Sequence, residues 1–431
     1  MKKFFITILC ALFVTQYVSS QNIEQKVNTL IASADYLELN RQYSLCKDSL
    51  SPFLQAIIKP LLSSALNKPE NAAAEIDFLL NNYTSELGNG ALNYITMLGE
   101  QLYYLGEYKP ATTLLSSVIL SLKEQQAPND VLSPLENIYK KVSALQEINK
   151  TTITRRSEES NQINMLLNLK SSNDGWYVNG VINGQNEPFL IDTGAGINLI
   201  SEPLAKKHHV RIMQDSIPIA GLVNSSFMKI GVVDSIIIGN IVYNNVVTGV
   251  VKDILPQHVQ DSIGYRIDAI LGIDFIKAVG GIIVYPKKKV IEIPNNFEDN
   301  YQDSPNTMLV GNAVFIECVL NGIRQILNCD TGMGMEGYIT FNSYNNHKEQ
   351  FKDIKITNES NIRLGGFAGT DQYKTLQFES VPIRVKNRSI QVDKFKVLNS
   401  HNQYDGGLGI DYFKHFEKVV IDLINMHIIV N

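Results

Sequence analysis

Two carboxylates in matching surroundings are the feature of this sequence most able to do chemistry. Asp192-Thr193-Gly194 ends the apolar run Phe189-Leu190-Ile191, and Asp330-Thr331-Gly332 repeats the tripeptide 138 residues later. An Asn-Gly pair precedes each aspartate by nine residues, at Asn183-Gly184 and Asn321-Gly322. A second shared word follows each, Ile270-Leu271-Gly272-Ile273-Asp274-Phe275 and Gly407-Leu408-Gly409-Ile410-Asp411-Tyr412. A duplicated frame of this kind predicts two similar lobes, each presenting one aspartate on a tight turn. Glycine after Asp-Thr allows a turn that a side chain would obstruct. The threonine hydroxyl can bond across to the opposite turn. Two carboxylates in contact resist joint ionisation, so one keeps its proton while the other acts as a base. That pair can take a proton from water as it attacks a carbonyl and hydrogen-bond the developing oxyanion, with no cofactor, metal or covalent intermediate needed.

The elements that must position the pair are strands. From Ile163 onward the apolar period is two, with β-branched and aromatic residues between turn signals. The Asn-Gly pairs predict two-residue hairpins flanked by Val181-Ile182 and Val319-Leu320. Each lobe closes on a second hairpin, Ile282–Tyr285 with Val290–Ile293 and Val419–Asp422 with His427–Val430. Asp274 and Asp411 are expected to cap the short helices that follow their glycines. The polar stretch 294–305 joins the lobes, which span 163–299 and 300–431.

Residues 21–150 are expected to be helical. Ala111, Leu114, Leu115, Val118, Ile119 and Leu122 form one apolar face, as do Leu92, Ile95, Leu98, Leu102 and Leu105 upstream. Pro110 suits a first helical turn, and Ser133-Pro134-Leu135-Glu136 resembles a capping box opening another helix. The phrase Tyr104-Leu105-Gly106-Glu107-Tyr108-Lys109-Pro110-Ala111 resembles the inter-helix corner of a tetratricopeptide repeat. That resemblance implies a surface for a protein partner; a helical cap packed on the next domain is the other reading. Residues 151–162, with Arg155-Arg156-Ser157-Glu158-Glu159-Ser160, are expected to be a polar linker.

Residues 1–20 have the form of a signal peptide: Lys2 and Lys3, an apolar core from Phe4 to Val14, and the small-residue site Val18-Ser19-Ser20. The expected location is therefore outside the cytoplasm, in a bacterial periplasm or at the cell surface, with no membrane span after cleavage. Downstream of residue 20 the cysteines are Cys46, Cys318 and Cys329, which makes a disulfide framework unexpected. The net charge of −5 comes with interspersed signs and no basic stripe, which excludes a nucleic-acid reading. His208, His209 and the other histidines lack metal-ligand spacing and are expected to face solvent.

On the residues Phe189 to Ala195, the second Asp330-Thr331-Gly332 and the glycine words at Gly272 and Gly409, the chain resembles aspartic proteases of the retropepsin-like and pepsin-like group. The resemblance covers about Ile163 to Asn431. It implies an N-terminal helical-repeat region followed by an all-β, double-lobed protease of two pseudo-twofold-related β-barrel lobes. It further implies an aspartic endopeptidase with Asp192 and Asp330 as catalysts, Thr193, Gly194, Thr331 and Gly332 as supporting turns, and a peptide or protein as substrate. The family's glycine-rich flap points to Gly221 and Leu222 in lobe one and to Gly366 and Phe367 in lobe two. Met333 stands where a small residue is usual, and Asn328-Cys329 where apolar residues are usual. A second reading stays open at this point: a weak or inactive peptide-binding scaffold that uses the helical domain and the interlobe cleft.

Overall fold

The computed structural model describes residues 23–166, 175–220, 225–263, 266–297, 301–366, 369–400 and 404–431. The proposed leader lies outside them. Contacts divide the chain into two compact units, Met1–Leu105 and Gly106–Asn431.

The first unit is helical. A helix over 23–32 is followed by Tyr36–Cys46, Pro52–Ala65, Pro69–Leu87 and Ala91–Tyr104, with neighbours in sequence packing on one another. Local chemistry sets the starts. The Asp35 side chain accepts from Glu38 N, and the Ser51 hydroxyl accepts from Leu54 N one residue before Pro52. Val27, Leu39, Leu50, Leu54, Ile58 and Leu62 form a buried cluster. Among the described residues no helix is long and apolar enough to cross a membrane.

The second unit begins with two helices, Tyr108–Glu124 and Asn129–Leu145, which pack together. Pro110 lies in the first turn of the former, as expected. The latter starts four residues before the capping-box reading, with Pro128 as its N-cap and Pro134 inside. Leu132, Leu135, Val142 and Leu145 are buried, so the apolar face carries the helix through its interior proline. This helix packs against the strand Arg211–Ala220. Burial raises the Asp274 carboxyl against the pull of the Lys141 charge, and the Asp274 charge in turn bears on Tyr108.

The segment expected to be a polar linker is two strands. Thr152–Arg155 pairs with Ile241–Val251, and Asn161–Asn164 pairs with Val290–Ile293. Arg155 donates to the carbonyls of Ile293 and Pro294. Backbone pairing decides here, because an edge strand tolerates polar side chains on its exposed face.

Lobe one is an eight-stranded sheet. Its hairpin, Tyr177–Ile182 with Gln185–Ile191, turns at Asn183 and Gly184, whose φ values are 48° and 81°. Two successive left-handed residues define the type I′ turn that matches strand twist. The strand that ends at Ile191 pairs in parallel with Ala269–Leu271, which also pairs antiparallel with Leu199–Ser201. Lobe two repeats the plan within a ten-stranded sheet. Asn321 and Gly322 turn at 47° and 81° between Ala313–Leu320 and Ile323–Asp330. The strand Ile323–Asp330 pairs in parallel with Gly406–Gly409, itself antiparallel to Gly337–Thr340.

The two closing hairpins join into one antiparallel five-stranded sheet, with Gly281–Tyr285 paired to Val419–Asp422 at its centre. Trp176 of lobe one is buried and sits 6.2 Å from the Phe413 ring of lobe two. Burial of such rings contributes about 3–5 kcal/mol each, which ties the lobes to one another. The shared sheet and this contact fix how the two aspartate turns face.

Two expectations are corrected in detail. The short helices Ile273–Ala278 and Ile410–Lys414 are capped by Gly272 and Gly409, with no side-chain cap bond. Asp274 and Asp411 lie one position inside each helix start, where a carboxylate still meets the positive end of the helix. His208 is buried, its Nε2 2.7 Å from Glu187 Oε1, rather than solvent-facing. His427 is buried too.

Candidate active site

Each aspartate is delivered by the end of a buried strand. Phe189, Leu190 and Ile191 are buried, and Asp192 N donates to Leu271 O at 3.1 Å, the last bond before the chain turns. Gly194 N then donates to Asp192 Oδ1 at 2.8 Å. In lobe two, Ile326, Leu327 and Cys329 are buried, and Gly332 N donates to Asp330 Oδ1 at 2.9 Å. Asn328 does not break the strand, because its amide donates to Val314 O at 3.1 Å.

The threonines lock the turns together. Thr193 N donates to Thr331 Oγ1 and Thr331 N donates to Thr193 Oγ1, both at 3.0 Å. Each hydroxyl then donates onward across the interface, Thr193 Oγ1 to Cys329 O at 2.7 Å and Thr331 Oγ1 to Ile191 O at 3.2 Å. Both threonines are fully buried, so every one of these groups must be paired in place. Burial pushes the Cys329 thiol up to about 12, which leaves it protonated behind the grip.

The interlock brings the two carboxyl groups into hydrogen-bond contact. As whole residues Asp192 and Asp330 are each half-buried. Burial and then the Asp192 charge push Asp330 up to about 8. Burial also raises Asp192, against the pull of backbone N–H groups from Gly194 and Gly332. A carboxyl whose folded pKa lies above its ordinary 3.8 binds its proton more tightly in the folded state. Its contribution to stability is full below pH about 4 and is lost as pH rises through about 8. The thermal midpoint of the wild type is therefore expected to fall across this window, and Asp330→Asn to flatten the fall. Parallel curves for the two proteins would contradict a proton-sharing pair.

Met333 does not distort the second turn. Its N–H donates to Asp330 O and its carbonyl accepts from Ile410 N at 3.0 Å, as Ala195 does toward Asp192 and Ile273 in lobe one. The lobes diverge just beyond. Asn198 is buried, and its side-chain oxygen accepts from Gly272 N at 3.1 Å. The equivalent Gly409 N is taken instead by the backbone oxygen of Glu336, at 2.9 Å. The Glu336 side chain turns away to His415, with Nε2 2.9 Å from Oε1. Sequence reading missed Asn198, because this bond is not repeated in the second lobe.

In sequence, each flap candidate is flanked by long paired strands. Arg211–Ala220 pairs with Ser225–Ile238 up to Ala220 and Ser225, and Ile356–Gly366 pairs with Gly369–Phe378 up to Gly366 and Gly369. Gly366 ends its strand. Gly221, Leu222 and Phe367 lie outside the described residues.

Residues 178–275 match the family model described as aspartyl protease. Over those residues lobe one is similar to aspartyl proteases. The match covers the first turn and its glycine word, and lobe two repeats that hairpin, turn and parallel strand. Among solved structures, the chain is similar to a retropepsin-like aspartic protease from Rickettsia conorii, at 16% identity over 33% of this chain and 92% of that one, with a TM-score of 0.22. It is similar to the EIAV protease complexed with the inhibitor HBY-793, at 18% identity over 28% and 93%, with a TM-score of 0.19. It is also similar to Basic 7S globulin from soybean, at 11% identity over 65% and 94%, with a TM-score of 0.36. None of the curated proteins matches the sequence.

Proposed function

We propose that this chain is an exported aspartic endopeptidase that hydrolyses peptide bonds with a water held between Asp192 and Asp330. The observation that carries the reading is the reciprocal threonine lock, which holds two aspartates from two lobes in carboxyl-to-carboxyl contact. The pair holds one proton. Backbone N–H groups of Gly194, Gly332 and Ala195 favour charge on Asp192, and that charge keeps the proton on Asp330. Asp192 takes a proton from water as the water oxygen bonds to the peptide carbon. Asp330 hydrogen-bonds the carbonyl oxygen as it gains charge. Transfer of a proton to the amide nitrogen then breaks the C–N bond and leaves a carboxylic acid and an amine. The raised carboxyls place the basic limb of activity near pH 8 rather than in strong acid.

The test is digestion of a diverse peptide mixture from pH 3 to 9 in ¹⁸O-water. New internal carboxyl ends, each carrying one solvent oxygen, are the expected result. No new ends at any pH would sink the proposal, and trimming confined to chain ends would remove its endopeptidase part. Export is tested by sequencing the mature N-terminus, expected at Gln21, against an unprocessed Met1.

A further inference from the structure

The short helix after each glycine word is held differently in the two lobes. Asp274 and Asp411 occupy the same place, two residues after Gly272 and Gly409. Asp411 is served from within its own helix, by Lys414 Nζ at 2.8 Å from Oδ1. Burial raises the Asp274 carboxyl, and the cations that pull it back are Lys141 first and then its own Lys277. Lys141 belongs to the helix Asn129–Leu145, so an element outside the duplication supplies what lobe two supplies locally.

Hydrogen bonds join the same helical pair to the first aspartate turn. Tyr108 is buried and bonded to the Thr151 side chain, whose hydroxyl donates to Asn245 O at 2.8 Å. Two residues back along that strand, Tyr243 is buried with its ring 5.5 Å from that of Phe275, beside Asp274. The Tyr243 hydroxyl accepts from Asn198 Nδ2 at 3.3 Å, and Asn198 Oδ1 accepts from Gly272 N. Ile273 N donates to Ala195 O at 2.9 Å, within the Asp192 turn itself.

From these contacts we infer that the helices Tyr108–Glu124 and Asn129–Leu145 are part of the catalytic unit, with Lys141, Asp274, Tyr243 and Asn198 as positioning residues for the Asp192 turn. The effect on catalysis rests on the proteolytic reading above. Removing the Lys141 cation leaves the Asp274 charge uncompensated where burial already opposes it, so the helix that carries it must shift or loosen. The Asp192 turn follows, because Ile273 holds Ala195.

The experiment compares full-length wild type, Lys141→Met and the Lys141→Met, Asp274→Asn double variant by amide hydrogen exchange and by kcat and KM. Lys141→Met is expected to speed exchange about tenfold in residues 190–198 and 269–278, while the equivalent lobe-two segments 328–336 and 406–415 stay as they are. The kcat is expected to fall about tenfold at constant KM, short of the roughly 10²-fold that a 1 Å displacement costs. Adding Asp274→Asn removes the stranded charge, and is expected to bring both readings back to within about threefold of wild type. Exchange that rises equally in both lobes, or in neither, overturns the inference, and so does a loss that the double variant does not rescue. A rise confined to lobe one with unchanged kcat overturns the positioning role. If the wild type cuts nothing, the hydrolase reading fails, and the exchange pattern alone upholds or overturns the brace.

Discussion

Asp192→Asn and Asp330→Asn are each expected to lower kcat/KM for a cleaved peptide by about 10⁴, the upper range for one group in general acid–base catalysis. The two losses should be nearly equal, and the double variant little worse than either single one. The carboxyls share one proton and act as a unit, so deleting either member removes both the base and the donor. Asparagine preserves shape: its side-chain oxygen can still accept from Gly194 N or Gly332 N, bonds of 2.8 and 2.9 Å in the wild type. The threonine lock involves neither carboxylate and stays in place. Loss of activity with an unchanged or raised thermal midpoint at pH 8 is therefore expected, because the variant no longer holds two acids in repulsive contact. Undiminished cleavage by either variant would remove that aspartate from the chemistry. Mixing the two inactive proteins checks the lobe pairing. Both turns meet here within one chain, so no activity should return.

Much of this site was legible because the chain says it twice. The Asn-Gly hairpins, the aspartate turns and the glycine words repeat at one spacing, and the structure puts each pair at equivalent places in two sheets. The closing hairpins were legible from period-two patterning, although their merger into one five-stranded sheet was not. What stayed hidden depends on partners far away in sequence. Thr152–Arg155 has a polar, half-exposed pattern and becomes a strand through its backbone pairing with Ile241–Val251. His208 resembles a surface histidine until the fold sets it against Glu187. Asn198 gave no signal because its partner amide is served by the Glu336 backbone in the other lobe. The helix over Asn129–Leu145 began early because buried leucines, rather than its serine, set its reach.

Gly332→Ala is expected to abolish most activity by moving the opposite aspartate rather than its own. A Cβ at Gly332 would stand 2.6 Å from Asp192 Cγ, and one at Gly194 would stand 2.8 Å from Asp330 Oδ2. Each turn packs bare backbone against the other lobe's carboxylate, which explains why both copies carry glycine. The methyl meets the end of the Asp192 side chain, which is not free to move without cost. The carboxylate it meets is bonded to its own turn, and that turn is locked through the buried threonines. Relief must come from shifting one lobe's turn or swinging Asp192 away, at a cost of about 1–3 kcal/mol in stability. A displacement near 1 Å at the reacting atoms costs about 10²-fold in rate. The expected result is a loss of at least that size in kcat for either alanine variant. Gly322→Ala serves as the control. Its φ of 81° strains an alanine, but nothing lies within 4 Å of the new methyl. That variant should lose stability and keep its kcat. Full activity in Gly332→Ala would show that the carboxyls need no close contact across the lobes, and the shared proton would go with it.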